Sequence, residues 1–318
     1  MELPIEFRNV TENLTDHIPL KKLICASRTI SERYRNESGT GKSLITNETE
    51  AAAYAVMRMP ATIGASGSAM MYAAEKIDDE IKTMLDIGAG TGACSWAAAE
   101  IFTELEKITC LERESAMISF GKKLMSEGDF PIECDWLDCD ITKNFSGKAD
   151  LVTASYVMNE LTAEKREKLT SALWNAADKM LLIIEPGTPV GFANIKAIRK
   201  QLINSGAVIV APCPHSNDCP LSDDDWCHFT ARVSRTKLHK QLKGGDVPYE
   251  DEKFTYIAAV RTNAQPCKAR ILRHPKIESG KITLKLCSSE GIAERMVTKK
   301  DGPLFKKARK SDCGDEFQ

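Results

Sequence analysis

A glycine-rich turn follows a short apolar segment early in the chain. It reads D-I-G-A-G-T-G at positions 86–92 and runs directly into a helix-forming stretch at 93–100. Glycines let the backbone approach a ligand where a Cβ would clash, and a helix start presents unpaired N–H groups and a positive dipole end. The turn therefore predicts a nucleotide-type cofactor site. The residues expected to form it are Asp86, Gly88, Ala89, Gly90 and Gly92.

The spacing of this turn bears on which cofactor it holds. An acid two residues before the first glycine gives D-x-G-x-G-x-G, which resembles motif I of the S-adenosylmethionine (SAM) methyltransferases. The dinucleotide fingerprint G-x-G-x-x-G/A is also met formally through Ala93, so an NAD-linked oxidoreductase remains an alternative. Glu112, at the end of the next predicted strand, is placed to accept hydrogen bonds from two ribose hydroxyls. Asp138 and Asp140 both remain open for the adenine edge.

Cysteines cluster later in the chain. Cys213, Cys219 and Cys227 lie close together, and a closed tetrahedral or cubane metal site needs one more ligand. Cys287 is one source of the fourth thiol and Cys267 is its competitor. Zinc, with His215 or His228 as borderline ligands, and an all-thiolate iron–sulfur cluster both fit the spacing. The chain has 11 cysteines and begins without a secretion signal, which argues against a disulfide scaffold.

Basic residues are concentrated in the C-terminal third. The spacing predicts a helix over 229–242 that is followed by Lys243. Residues three or four apart would share one face of that helix, which a phosphate backbone would engage. These residues are Arg232, Arg235, His239 and Lys243. A solvated helix face is the alternative, but lysines clustered over 299–310 favour RNA as the partner and DNA is not expected.

The rest of the chain supplies the frame for these sites. Residues 1–80 read as helical, and from 82 onward strands and helices alternate as in a doubly wound parallel sheet. The predicted parallel strands are 83–87, 108–112, 132–136, 149–155 and 179–185. Strands at 207–211 and 254–261 would close the sheet as an antiparallel pair. We therefore predict three units: a helical region 1–80, a cofactor domain 81–262 with a cysteine-rich insertion 212–253, and a small β extension with a basic tail 263–318.

Localisation is predicted from the same sequence. The N-terminus lacks a basic region followed by an apolar one, and no stretch has the roughly 18–20 apolar residues of a membrane helix. We therefore expect a cytoplasmic protein with no membrane association.

Several longer blocks resemble one known family, the methyltransferase-like proteins and assembly factors of the mitochondrial small ribosomal subunit with their bacterial and archaeal relatives. The blocks are A-x-x-R-M-P-A-T at 55–62, the glycine turn, E-P-G-T-P-x-G-F at 185–192, P-C-P-H at 212–215, C-P-L at 219–221, D-W-C-H-F at 225–229 and Y-E-D-E-K-F at 249–254. One departure is Cys313, where relatives tend to have tryptophan before Gly-Asp.

The resemblance implies both a fold and cofactors. It implies an α/β, Rossmann-like class I SAM methyltransferase sheet, with SAM in the glycine turn. It implies an iron–sulfur cluster of the [4Fe–4S] type on Cys213, Cys219, Cys227 and Cys287. It also implies association with small-subunit ribosomal RNA and the pre-ribosomal small subunit.

Two functions follow from the resemblance. The first, favoured here, is a SAM-dependent methyltransferase of small-subunit ribosomal RNA, with Asn159 and Glu160 at the end of the fourth strand lining the acceptor pocket. The second is a non-catalytic assembly factor that uses the methyltransferase fold to bind RNA, because a fold alone does not establish activity.

Overall fold

The computed structural model describes residues 2–37, 39–40, 42–143, 145–222, 224–261 and 264–317. The N-terminal region is helical, as predicted. Its helices are α1 (Ile5–Asp16), α2 (Leu20–Glu37), α3 (Glu48–Met57) and α4 (Met59–Ala74). Asn47 caps α3 by accepting a hydrogen bond from the Glu50 N–H at 3.0 Å. The chain bends at Arg58, and Pro60 falls in the first turn of α4, where its missing N–H removes no helical hydrogen bond.

A mixed sheet with covering helices forms the centre of the molecule. Its elements are β1 (Thr83–Ile87), α5 (Ala93–Ile101), β2 (Lys107–Glu112), α6 (Ser115–Glu127), β3 (Glu133–Asp138), β4 (Ala149–Ser155), α7 (Ala163–Ala176), β5 (Ala177–Pro186), α8 (Pro189–Asn204), β6 (Val208–Ala211), β7 (Phe229–Ser234), α9 (Lys237–Lys243) and β8 (Tyr249–Val260). The strand order is β3-β2-β1-β4-β5-β8-β6, with β7 paired to the start of β8. Strands β1 to β5 are parallel, whereas β6, β7 and β8 join antiparallel.

Burial explains why the apolar runs form the central strands. Met180 to Ile184 on β5 are all buried, as expected for a strand covered on both faces. One apolar cluster lies between the sheet and the helices α1 to α6, and a second lies between the sheet and the helices α7 and α8. The predicted doubly wound α/β class is confirmed.

The predicted helix over 229–242 is wrong. Residues 229–234 form strand β7, in which Phe229, Ala231 and Val233 are buried and the residues between them are more exposed. This period of two belongs to a strand. The helix α9 begins only at Lys237, after Thr236 accepts a capping hydrogen bond from the His239 N–H at 3.1 Å.

A second, smaller sheet follows in the chain. It contains β9 (Ala269–Ile271), β10 (Lys276–Glu278), β11 (Lys281–Ser288), β12 (Gly291–Thr298) and β13 (Glu316–Phe317), with helix α10 (Pro303–Lys310) against it. The predicted unit boundary at 262/263 lies outside the described residues, and the unit limits stay a prediction. Within the described ranges, no helix has the length and apolar character needed to cross a membrane.

Candidate cofactor site and cysteine cavity

The glycine turn sits at the carboxyl end of β1. Gly88 and Gly90 have φ values of +66° and +61°, which favour glycine. A Cβ on Gly88 would lie 2.6 Å from Cγ2 of Val157, so the turn also packs tightly against the segment after β4. Gly92 has φ +92° and starts α5. The backbone of Gly88 and Gly90 is nevertheless accessible from the cavity at this end of the sheet.

Above this turn lies a cavity of about 560 Å³, called here the glycine-loop cavity. Its wall comes from the carboxyl ends of the parallel strands and from α2 and the segment after it. Of the predicted site residues, the wall includes Gly88, Gly90, Glu112, Asp140, Asn159 and Glu160. Open α/β sheets bind ligands at this edge, so the structure gathers these six residues where a cofactor is expected.

Glu112 is fixed by the backbone around it. Its carboxylate accepts hydrogen bonds from the N–H groups of Gly90 at 2.9 Å, Arg113 at 2.8 Å and Glu114 at 2.9 Å. Burial raises the pKa of Glu112, while these three N–H groups oppose the rise. The carboxylate keeps unused lone pairs facing the cavity, and it can accept hydrogen bonds from ribose hydroxyls there.

Asp86 has a different position from the one expected. It is only 2% exposed and lies beneath the turn, away from the cavity wall. Its carboxylate accepts hydrogen bonds from Thr153 at 2.7 Å and Ser95 at 3.2 Å. Burial raises the pKa of Asp86 to about 6, against the opposing effect of those hydroxyls. Asp86 therefore ties β1 to β4 and α5, and it shapes the turn from below.

Asp140 and Asp138, the two candidates for the adenine edge, lie in different positions relative to the cavity. Asp140 lies on the wall of the glycine-loop cavity and accepts hydrogen bonds from the N–H and hydroxyl of Thr142 at 3.0 and 2.7 Å. Asp138, the last residue of β3, is exposed and lies off the wall. Two further predicted residues, Ala89 and Gly92, belong to the glycine turn but do not line the cavity.

Asn159 and Glu160 form a 3₁₀ turn after β4 with Met158. Burial raises the pKa of Glu160 to about 7, against the opposing charge of Arg113. The Met158 N–H donates to Oε1 of Glu185 at 2.9 Å, and this buried carboxyl holds the turn in place. Burial raises the pKa of Glu185 to about 8, against the opposing hydrogen bond from Met158. The cavity wall therefore holds the carboxyl of Glu160, whose pKa is about 7.

The N-terminal region covers part of the cavity. The wall includes Tyr34 on α2 and Leu44 beyond it. Glu114 fixes this cover, because its two carboxylate oxygens accept hydrogen bonds from the N–H groups of Leu44 and Ile45, each at 2.7 Å. Glu114 thus joins this cover to the segment that directly follows Glu112 at the end of β2.

A cluster of three polar side chains beside the cavity was not predicted as part of the site. Tyr156 has φ +60° just after β4, and its hydroxyl donates to Oε1 of Glu252 at 3.0 Å. Arg58, at the bend between α3 and α4, places Nη2 3.6 Å from the same oxygen. Arg58 and Glu252 belong to the blocks at 55–62 and 249–254, so those two blocks meet here. Their separation in sequence gave no local signal of the contact.

The four predicted metal ligands line one cavity of about 40 Å³, called here the cysteine cavity. They are Cys213, Cys219, Cys227 and Cys287. Cys267 lies off this wall, among Arg270, Glu316 and Lys76. His215 is 8% exposed and places Nε2 3.8 Å from Sγ of Cys287. Across the described ranges, no three His, Cys, Asp or Glu side chains are arranged to hold a single metal ion.

Two buried arginines flank the cysteine cavity. Arg199 is 6% exposed and donates to the carbonyls of His215 and Asn217 at 2.7 and 2.8 Å. Arg270 is 1% exposed and donates to the carbonyls of Pro212 and Gly314 at 2.9 and 2.8 Å. Both guanidinium groups hold the insertion through neutral carbonyls. Arg270 also has Oε1 of Glu316 at 3.4 Å, whereas Arg199 has no carboxylate oxygen within 4.0 Å in the described part of the chain. A buried cation without a close carboxylate is costly, so an anionic group in the cavity would stabilise Arg199.

The predicted basic stripe does not form. Arg232 lies on β7 and makes a bidentate pair with Asp251 at 2.6 and 2.7 Å. The other three residues surround one carboxylate, Glu250. The distances to it are 3.3 Å from Arg235, 3.0 Å from His239 and 2.9 Å from Lys243. Arg232, Arg235 and Lys243 thus neutralise Asp251 and Glu250. The shared helical face on which the RNA interpretation rested is absent.

Exposed cations lie instead around α10. Within the described part of the chain, none of them has a carboxylate oxygen within 4.0 Å. They are Arg295, Lys299, Lys300, Lys306, Lys307, Arg309 and Lys310, called here the α10 basic surface. Leu304, Phe305 and Ala308 anchor α10 on the smaller sheet, so the four cations of this helix are presented on a fixed element. Arg295 lies on β12, and Lys299 and Lys300 follow that strand directly.

Fold and site together define a Rossmann-like α/β protein with a glycine turn at the carboxyl end of its first strand. The chain belongs to the family described as mitochondrial small ribosomal subunit Rsm22, whose model matches residues 48–318.

Curated relatives agree with this membership. The human ribosome assembly protein METTL17, mitochondrial, is 24% identical over 259 residues, which are 74% of this chain and 55% of that protein. The Rsm22-cox11 tandem protein 2, mitochondrial, of Schizosaccharomyces pombe is 24% identical over 290 residues, 74% of this chain and 38% of that protein. The chain therefore spans about half the length of the human relative and less of the yeast one.

Two solved methyltransferases resemble the chain at low similarity. Magnesium protoporphyrin IX methyltransferase from Synechocystis PCC 6803, with bound SAM, has a TM-score of 0.42 at 16% identity and covers 74% of this chain and 97% of that one. The plantazolicin methyltransferase BpumL, with SAH, has a TM-score of 0.42 at 12% identity and covers 77% and 98%.

The expected cytoplasmic localisation is wrong. The matching family is described as mitochondrial, and the curated human and yeast relatives carry the word mitochondrial in their names. The prediction considered only a secretion signal and a membrane helix. Neither feature distinguishes the cytosol from the interior of a mitochondrion.

Proposed function

We propose that this chain is a SAM-binding assembly factor of the mitochondrial small ribosomal subunit that docks on ribosomal RNA. Family membership and the printed function of the human relative support the ribosomal part. The α10 basic surface is the observation that carries the RNA part. A phosphate backbone is recognised by cations that no protein carboxylate neutralises, and this surface supplies them on an anchored helix.

The glycine-loop cavity fits SAM. Gly88 and Gly90 leave a backbone cradle, Glu112 presents a fixed carboxylate to ribose hydroxyls, and Asp140 lies on the β3 side where an adenine edge would sit. Bound SAM would supply an electrophilic methyl group. In the assembly role the same cofactor stabilises the folded state by binding only to it.

The donor set of the cysteine cavity supports an anionic metal centre. Four thiols line it, and Arg199 and Arg270 supply buried positive charge beside it. We propose that Cys213, Cys219, Cys227 and Cys287 hold a [4Fe–4S] cluster, with zinc as the alternative. Because Cys287 lies on β11 and the other three thiols lie in the insertion, the centre would join the insertion to the smaller sheet.

Methyl transfer to ribosomal RNA is the second candidate function. Asn159 and Glu160 on the cavity wall favour it. A carboxyl with a pKa of about 7 can accept a proton from a reacting group at neutral pH.

Incubation of the protein and labelled SAM with small-subunit RNA that lacks its methyl groups decides between the functions. The assembly role predicts no label in the RNA beyond the level of a protein-free control, whereas enzymatic methylation predicts transfer.

Anaerobic purification with iron, sulfide and zinc analysis tests the metal centre. We expect iron and sulfide near four atoms of each per chain, and their loss in Cys219→Ser but not in Cys25→Ser, which changes an exposed thiol on α2. One zinc per chain without sulfide would contradict the cluster while leaving the fold and the RNA proposal intact.

A further inference from the structure

The amino-acid end of SAM needs its own partners in the glycine-loop cavity, and their identification rests on the proposed binding of SAM. The nucleoside end has its partners on one side of β1, because Glu112 follows β2 and Asp140 follows β3. Strand order places β4 and β8 on the other side of β1. A ligand with its ribose at Glu112 therefore extends its tail across the glycine turn toward Tyr156 and Glu252.

Arg58 is the cation at that end of the cavity. It lies on the wall, and the chain beside it is fixed to the turn because the Thr91 hydroxyl donates to Sδ of Met59 at 3.2 Å. Tyr54, one helical turn earlier, places its hydroxyl 4.0 Å from the position of a Cβ on Gly90. The bend between α3 and α4 is thus packed directly against the glycine turn.

The guanidinium of Arg58 keeps donors available for a ligand. Among the described residues its ionic contact is with Glu252, at 3.6 Å, which is longer than a charge-assisted hydrogen bond of about 2.7–2.9 Å. The closer partner of Glu252 is the Tyr156 hydroxyl at 3.0 Å. In the described ranges, Arg58 donates no side-chain hydrogen bond. Its side chain is 35% exposed, and the residue lines the cavity.

The charges on the cavity wall indicate which group of the ligand Arg58 would bind. The wall holds carboxylates, including Glu112, Glu114 and Glu160, which suit hydroxyls and ammonium groups and repel an anion. It also holds the cations Arg35, Lys42, Arg113 and Lys165, but these lie on α2, after α2, after β2 and on α7, whereas Arg58 lies beside the glycine turn. SAM carries one carboxylate, at the end of its methionine tail. We propose that Arg58 binds this α-carboxylate, with Tyr156 and Glu252 orienting the guanidinium. Arg58 is then the residue by which the cavity distinguishes SAM from nucleosides that lack the amino acid.

Calorimetric titration of the full chain with two ligands tests the assignment. One ligand is SAM and the other is methylthioadenosine, which has the adenosine and sulfur but no amino acid. Arg58→Gln should weaken SAM binding roughly 10- to 100-fold, the range of a lost charged hydrogen bond, and leave methylthioadenosine affinity unchanged. Arg58→Lys should recover part of the loss because the charge remains. Arg28→Gln, an exposed arginine on α2, serves as the matched control.

The outcomes separate this inference from the proposed function. Equal losses for both ligands in Arg58→Gln would show general damage to the cavity and overturn the carboxylate assignment. Unchanged SAM affinity would overturn it as well. If the wild-type chain binds neither ligand, SAM binding itself is overturned, and the role of Arg58 with it. Retained methylthioadenosine binding in the variant also reports that the variant is folded.

Discussion

The hydroxyl of Tyr156 donates a hydrogen bond to the carboxylate of Glu252 at 3.0 Å, and it joins the end of β4 to the antiparallel strand β8. Tyr156 holds a backbone conformation, φ +60°, that side-chain-bearing residues rarely adopt. The contact therefore fixes a strained position on the wall of the glycine-loop cavity.

Tyr156→Phe should destabilise the protein through the loss of this contact. The ring remains and the hydrogen bond to a charged acceptor disappears, so we expect the free energy of unfolding to fall by about 1.5–3 kcal/mol. Urea unfolding followed by fluorescence measures the change. An unchanged unfolding midpoint would show that the hydroxyl makes no net contribution.

Glu114→Ala should loosen the cover of the cavity. The substitution removes both acceptors for the N–H groups of Leu44 and Ile45, each held at 2.7 Å. We expect hydrogen exchange at these two amides to rise at least tenfold, because each lost charged hydrogen bond is worth about 1.5–3 kcal/mol. The matched control is Glu127→Ala, an exposed carboxylate at the end of α6. Exchange as slow as in the wild type would show that other contacts hold the segment.

Stability should depend on pH through Glu185. Burial raises its pKa from an ordinary value of 4.5 to about 8 in the folded protein. Between these values the folded state keeps a proton that the unfolded state has released, so stability from this group falls as pH rises. Glu185→Gln removes that dependence and keeps an acceptor for the Met158 N–H. Its stability relative to the wild type should increase by up to about 1.4 kcal/mol per pH unit between pH 5 and pH 8.

Urea unfolding of both proteins across that range measures the difference. Glu167→Gln, on the exposed face of α7, is the control and should show no such trend. A difference between Glu185→Gln and the wild type that stays constant with pH would mean that Glu185 is ionised in the folded protein.

RNA affinity should depend on the α10 basic surface and not on the predicted stripe. Replacing Lys300, Lys306 and Lys310 with glutamine removes three exposed cations. The slope of log affinity against log salt should then become shallower by about 2–3. Replacing Arg232 and Lys243 with glutamine should change the slope little, because carboxylates already neutralise both residues. Fluorescence anisotropy measures RNA affinity at each salt concentration. If both sets of substitutions changed the slope equally, Arg232 and Lys243 would also contact RNA.

The sequence predicted the central sheet well, because its strands are apolar runs bounded by glycine, proline and capping residues. Strands 83–87 and 149–155 match the structure at both ends, and 179–185 lies within β5. The helix at 229–242 failed because the spacing of charged residues was weighed above the alternating burial of Phe229, Ala231 and Val233. Charge spacing on a surface says little about backbone conformation when a strand partner is available.

The candidate sites were predicted only where their residues follow one another along the chain. The glycine turn and Glu112 belong to a local strand–turn–helix unit, so their roles follow from spacing. Arg58, Tyr156 and Glu252 come from three distant segments and meet only when β8 inserts beside β5. The neutralisation of Lys243 by Glu250 could not be predicted for the same reason, since it requires α9 to pack beside the start of β8.

RNA crosslinking in living cells tests the central proposal most directly. The tagged chain would be crosslinked to RNA in mitochondria, recovered under denaturing conditions, and its attached RNA sequenced, beside the variant that lacks Lys300, Lys306 and Lys310. The account predicts reads concentrated in small-subunit ribosomal RNA, and a marked loss of those reads in the variant. Reads spread over mitochondrial messenger RNAs, or no RNA above an untagged control, would contradict it.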